Sequence, residues 1–181
     1  MRRKQKGFSL IELLIVVAII LIIAAIAIPN LIRARIAANQ SSAAASLRTL
    51  ASTSSMYWTT YQDGYPGSLA VLAPPASGNV NCNTAGLIDN VLAAANVAPG
   101  KSGYVFTWQV GAAQLATAST GCAAAGYSDM FSVLASPASA STGTSFYCVD
   151  ATNVIRTATT AGPVTPTTAG CPTAGNTPIG N

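Results

Sequence analysis

The chain contains no histidine among its 181 residues, which excludes every histidine-based catalytic triad. Charge is also scarce. Only 8% of the residues are Asp, Glu, Lys or Arg, where about 25% is usual for a globular protein. The four cysteines, Cys82, Cys122, Cys148 and Cys171, include no CxxC pair, so zinc-ligand spacing is absent. There is no glycine-rich phosphate loop carrying a lysine and no pair of glutamates. Asp63, Asp89, Asp129 and Asp150 are dispersed and lack EF-hand spacing. Neither enzymatic activity nor a bound metal or other cofactor is expected from such a chain.

The net charge of +4 invites a nucleic-acid reading. Its distribution argues against one. Arg2, Arg3, Lys4 and Lys6 crowd the first six residues, and beyond them five basic residues face five acidic ones. The basic character is a terminal tag, and no specific nucleic-acid partner is expected.

The N-terminal thirty residues carry most of the information. The basic stretch ends at Gly7, Phe8-Ser9-Leu10-Ile11-Glu12 follows, and residues 13–28 form an unbroken apolar run. As a helix, residues 8–28 span about 30 Å, the thickness of a bilayer core. The one-sided positive cluster keeps the N-terminus cytoplasmic and sends the rest across. Glu12 is the anomaly, because a carboxylate within a spanning segment costs about 2.5–3.5 kcal/mol on insertion scales. Cleavage after Gly7 supplies a partner: a new α-amine on Phe8, cationic at neutral pH, four residues before Glu12.

Lys6-Gly7-Phe8-Ser9-Leu10-Ile11-Glu12 with its apolar run resembles the processing site of type IV prepilins and of the related pseudopilins of type II secretion. The resemblance implies cleavage between Gly7 and Phe8 by a membrane prepilin peptidase that also methylates the Phe8 amine. It implies that Glu12 registers neighbouring subunits. An ordinary secretory signal, suggested by Ala25-Ile26-Ala27, conflicts with the length of the apolar run and with Glu12. An uncut signal anchor conflicts with the Gly-Phe-x-x-x-Glu context.

Beyond Pro29, helical character resumes. Ala43, Leu47, Leu50, Ser54, Tyr57 and Tyr61 recur at spacings of four and three and so share one face. One kinked helix is expected over residues 9–61, ending at Asp63-Gly64-Tyr65-Pro66. In the family, a proline such as Pro29 lets the helix loosen during assembly. Thr84 is expected to cap a short helix through Ala95 that buries Leu87, Val91 and Leu92. Tyr104, Phe106, Trp108 and Val110 alternate with Val105, Thr107 and Gln109, the pattern of a half-buried strand. Further strands are expected near residues 130–135, 145–150 and 154–157. The Trp108 face and the aromatic cluster of Tyr57, Trp58, Tyr61 and Tyr65 read as packing, in preference to a ligand cleft or an electron path. Residues 111–128 read as a long loop and 157–181 as an uncharged Thr/Pro/Gly/Ala tail. Asn39-Gln40-Ser41 fits a glycosylation sequon but lies in the expected helix.

The fold class is therefore α+β and type IV pilin-like: a long kinked N-terminal helix packed on a small antiparallel sheet of three to four strands. The expected division is a leader (1–7), a transmembrane and filament-core half-helix (8–29), an amphipathic half-helix (30–62) and a head with its tail (63–181). An even cysteine count in an exported head reads as two disulfides. Of three possible connectivities, Cys148 with Cys171 and Cys82 with Cys122 is favoured, since it ties the tail to a strand and one loop to another. The C-terminal disulfide that often pins a surface region in the family fits the first pair.

The function implied is that of a pilin: a subunit held single-pass in the bacterial inner membrane, then drawn into an extracellular type IV pilus. The implied partners are the peptidase/methyltransferase, further copies and other pilins, an inner-membrane assembly platform, and membrane lipid before assembly. The alternatives are a pseudopilin of a type II secretion system and an uncut, membrane-anchored periplasmic binding domain.

Overall fold

The computed structural model describes residues 8–62, 64–111, 122, 128–158, 170–171 and 177–179. Contacts divide the chain into two compact units, residues 1–35 and 36–181, and helix α1 (Leu10–Tyr61) contributes to both. Pro29 lies inside α1 without ending it. The helix closes where Gln62, at φ 57°, leaves helical geometry just after Tyr61.

Within residues 36–181, α1 buries Ala43, Leu47, Leu50, Ala51, Ser54 and Tyr57. All but Ala51 belong to the stripe that the three- and four-residue spacing predicts, which faces the core, and Tyr61, the last expected member, is half-buried against it. Polar members of the stripe are satisfied inside the helix: the Ser54 hydroxyl donates to the Leu50 carbonyl at 2.6 Å, and Thr53 to Thr49 at 2.8 Å. Without those bonds a buried hydroxyl would oppose folding.

Two one-turn helices follow, α2 (Leu69–Leu72) and α3 (Asn90–Ala93). The expected helix from Thr84 to Ala95 is thus much shorter. Thr84 is not its cap, because its N–H and hydroxyl go to Asn81 Oδ1 at 3.1 and 3.3 Å. Gly86, at φ +65°, then turns the chain away from helix. The cap is Asp89, whose Oδ1 accepts the Leu92 N–H at 2.7 Å. Its carboxyl is held below the ordinary value, first by that backbone bond and then by Lys101, whose Nζ lies 3.4 Å away. Leu92 is buried and Leu87 half-buried as expected, whereas Val91 points to solvent.

The sheet is a simple antiparallel meander in the order β1-β2-β3-β4-β5. Its strands are β1 (Tyr104–Val110), β2 (Phe131–Pro137), β3 (Phe146–Asp150), β4 (Arg156–Ala158) and β5 (Thr177–Pro178). Five strands exceed the three to four expected, because two tail residues add a short outer strand. β4 begins later than residue 154, since Asn153 (φ 59°) closes a turn by donating its N–H to the Asp150 carbonyl at 2.9 Å.

Tyr104, Phe106, Phe131, Val133 and Val149 are fully buried beneath the helix stripe. Each such side chain contributes about 1.5–3 kcal/mol of burial. Buried phenols find partners: Tyr57 donates to the Cys82 carbonyl at 2.6 Å and Tyr104 to the Ser145 carbonyl at 2.9 Å. The aromatic cluster is continuous with the sheet. Trp58 meets Tyr65 edge-on at 4.5 Å, Tyr65 meets Phe131 at 4.7 Å, and Trp108 stacks on Phe131 at 5.3 Å.

Candidate functional site: an apolar helix with one carboxylate

The sequence places the chemistry of this chain at its N-terminus. Gly7 lies outside the described residues, while Phe8 is exposed ahead of the helix. Ser9 takes the cap position before Leu10. Its carbonyl accepts the N–H groups of Glu12 at 3.1 Å and Leu13 at 3.3 Å. The Glu12 side chain reaches back over this first turn, and its Oε2 accepts the Ser9 N–H at 3.0 Å. Ser9-x-x-Glu12 has capping-box spacing, a signal present in the sequence. Its effect is to satisfy a backbone donor and to set a carboxylate against the positive end of the helix dipole.

From Phe8 to Ile32 every large apolar side chain is exposed, from 47% at Val17 to 80% at Phe8. Among the described residues of this unit, nothing covers these side chains. Such a surface does not persist in water. It requires lipid or other helices, and α1 is long and apolar enough to cross a membrane. Ala18, Ala24, Ala25 and Ala27 supply the small side chains that allow close helix approach. Pro29 sits just past this apolar run, inside the helix.

The remaining candidates lie in residues 36–181. Cys82 pairs with Cys122 and Cys148 with Cys171, at Cα separations of 5.6 and 5.9 Å. Asp150, just after Cys148 and Val149, is buried, and its role went unforeseen in the sequence. Its Oδ1 accepts the Thr152 N–H at 2.9 Å and the Thr152 hydroxyl, and its Oδ2 accepts the Cys171 N–H at 2.9 Å. Gly170 permits this close approach, since a β-carbon there would lie 2.9 Å from Asp150 Oδ2. The Asn39 side-chain amide donates to the Thr142 carbonyl at 3.0 Å, so the sequon asparagine is engaged in the fold. No cluster of three or more potential metal-ligating side chains occurs among the described residues.

Comparison with known proteins bears on the same end of the chain. The family described as the prokaryotic N-terminal methylation motif matches residues 2–28. The chain is 53% identical over 55 residues to the type IV wide pilus major component of Thermus thermophilus, covering 30% of this chain and 42% of that protein. It is 55% identical over 47 residues to the type IV major pilin protein of Myxococcus xanthus, covering 26% of this chain and 21% of that protein. The chain thus spans less than half the length of either relative in these matches. No solved structure matches. The N-terminal segment is prepilin-like, and a long N-terminal helix with an antiparallel sheet is consistent with the type IV pilin fold.

Proposed function

We propose that this chain is a structural, non-enzymatic subunit of a type IV pilus. The observation that carries the reading is the uncovered apolar surface of residues 8–32, interrupted by the single carboxylate of Glu12, in a segment similar to major pilins. In this reading, residues 1–7 are a leader removed by the prepilin peptidase, which also methylates Phe8. Residues 8–29 hold the subunit single-pass in the inner membrane with its N-terminus cytoplasmic. Residues 30–62 extend the helix into the head, which occupies 63–181. On assembly, the apolar segments exchange lipid for one another and form the fibre core. The driving force is close packing, since hydrophobicity is equal on both sides of the exchange.

Glu12 selects the register. A carboxylate in an apolar fibre core is costly unless paired. The Phe8 amine of an incoming subunit supplies the opposite charge where two helices stand in the correct stagger. Pro29 gives the helix a place to loosen as subunits pack, because it withholds one backbone donor. Further copies, other pilins and an inner-membrane assembly platform are the partners of this cycle. Deleting the gene and imaging the cells tests the reading: surface fibres disappear. Fibres that persist alongside a protein-secretion defect would contradict it.

A further inference from the structure

Two arginines close the apolar segment. Arg33 and Arg35 follow Ile32, and both are exposed on helix α1 within residues 1–35. Neither guanidinium has an ion pair or a hydrogen bond among the described residues. Between residues 8 and 35 the one acidic side chain is Glu12, about 31 Å from Arg33 along the helix. Their position also works against the orientation of the span. Basic residues are normally kept to its cytoplasmic end, and these two stand at the other. The helix keeps its orientation because Arg2, Arg3, Lys4 and Lys6 outnumber them.

The apolar stretch they close is longer than a bilayer needs. Residues 8–32 rise about 37 Å as a helix, against a hydrocarbon core of about 30 Å. Hydrophobic length alone leaves such a helix free to slide or tilt, and interfacial anchors fix its depth. The separation of Arg33 from Glu12 matches the core. With Arg33 at the outer boundary, Glu12 reaches the inner one. Its carboxylate then lies beside the cytoplasmic headgroups and not in hydrocarbon, where its cost is greatest. Phe8 falls about 6 Å further out on the same side.

We propose that Arg33 and Arg35 bind the phosphate groups of phospholipids in the far leaflet and so set the depth of α1, holding Glu12 at the cytoplasmic boundary. The inference rests on the membrane-spanning reading of residues 8–32 and not on fibre assembly. A guanidinium meets a phosphate through two parallel N–H donors, which fixes position better than a point charge does. Residues two apart project about 200° apart on a helix, so the two arginines do not converge on one soluble anion. They suit a layer of phosphates that surrounds the helix. Arginine stems run along apolar surface while their heads reach such a layer.

The test is spin-label depth measurement on the full oxidised chain in vesicles of phosphatidylethanolamine and phosphatidylglycerol. No native cysteine is free to take label, so Leu13→Cys reports the region beside Glu12 and Ile22→Cys the middle of the span. In the parent, the first label stands at the inner boundary and the second at the bilayer centre. Replacing both arginines (Arg33→Gln with Arg35→Gln) lets the basic leader draw the helix toward the cytoplasm. The label at residue 13 then shifts by about 4 Å toward water, while the label at residue 22 stays in hydrocarbon. In bilayers of digalactosyldiacylglycerol, which carries no phosphate, parent and glutamine variant have the same depth, with or without inorganic phosphate in the buffer. An unchanged depth in the glutamine variant would overturn the proposal. So would a parent that keeps its separate depth in the galactolipid, or one that regains it there on adding inorganic phosphate, which would assign the arginines to a soluble anion. A label at residue 22 exposed to water would show that the segment does not span, and would remove the underlying reading together with the anchor.

Discussion

Asp150 Oδ2 accepts the backbone N–H of Cys171 at 2.9 Å, two residues from the cysteine to which Cys171 is disulfide-bonded. The tail is therefore held to the end of β3 twice, once covalently and once through a buried carboxylate whose other oxygen holds the following turn at Thr152. Removing the carboxylate leaves two backbone donors and a hydroxyl without their acceptor. Asp150→Ala should lower unfolding stability by about 2–3 kcal/mol, measured by denaturant titration of the oxidised protein. An unchanged midpoint would show that the tail is held without it.

The covalent tie has its own expected size. Cys148 and Cys171 are 23 residues apart, and closing a loop of that length stabilises by about 3 kcal/mol in the chain-entropy account. Replacing both with serine should produce a loss of that order, and β4 and β5 should lose amide protection before β1 and β2 do. A uniform loss across the sheet would contradict this local role.

Tyr104 gives the protein an alkaline limit. Burial, then the neighbouring Tyr147, pushes its phenol up from the ordinary 10 to about 12. A group whose folded pKa is raised stabilises fully below its unfolded pKa and loses that contribution as pH rises through the folded one. Stability should accordingly fall between about pH 10 and pH 12. Tyr104→Phe should flatten that fall while costing about 1 kcal/mol at neutral pH for the lost bond to Ser145. An equally steep alkaline fall in the variant would assign it to another group.

How far the sequence reveals this architecture depends on how much regular pattern each element contains. α1 repeats its stripe from Ala43 to Tyr57, and β1 alternates through Tyr104, Phe106 and Trp108. Both are long enough for periodicity to identify them. The region around residues 84–95 is not. One turn of helix holds no period, and its start is set by the Asp89 cap and the positive φ of Gly86, which composition alone does not locate. β5 is two residues in an uncharged tail and owes its existence to pairing with β4. At the N-terminus, the apolar run and Glu12 stand out because a charge there is so costly. The bond from Glu12 to the Ser9 N–H follows from a three-residue spacing that also occurs in ordinary helix starts. Asp150 looked like one dispersed acid among four, because its partners come from the turn and from a tail residue 21 positions away.

If Glu12 sets the register as proposed, its substitution should separate insertion from assembly. Glu12→Ala removes a charge from the spanning segment, so the subunit should insert in the membrane at least as well as the parent. Fibres should be lost or strongly reduced, as judged by shearing and electron microscopy, because the partner of the Phe8 amine is gone. The Ser9 N–H loses its acceptor in the same variant, so Glu12→Gln is the control. It keeps an acceptor for Ser9 but not the charge, and it should fail to form fibres too. Normal piliation in either variant would refute the charge-pairing register.

The central claim is most directly tested by the intact mass and N-terminal peptide of the mature protein from its native cell. A mature chain that begins at Phe8 and carries one methyl group on its amine is the predicted result. A start at Ile28, as from an ordinary secretory signal, or an uncut start at Met1 would contradict it and remove the basis for a fibre subunit.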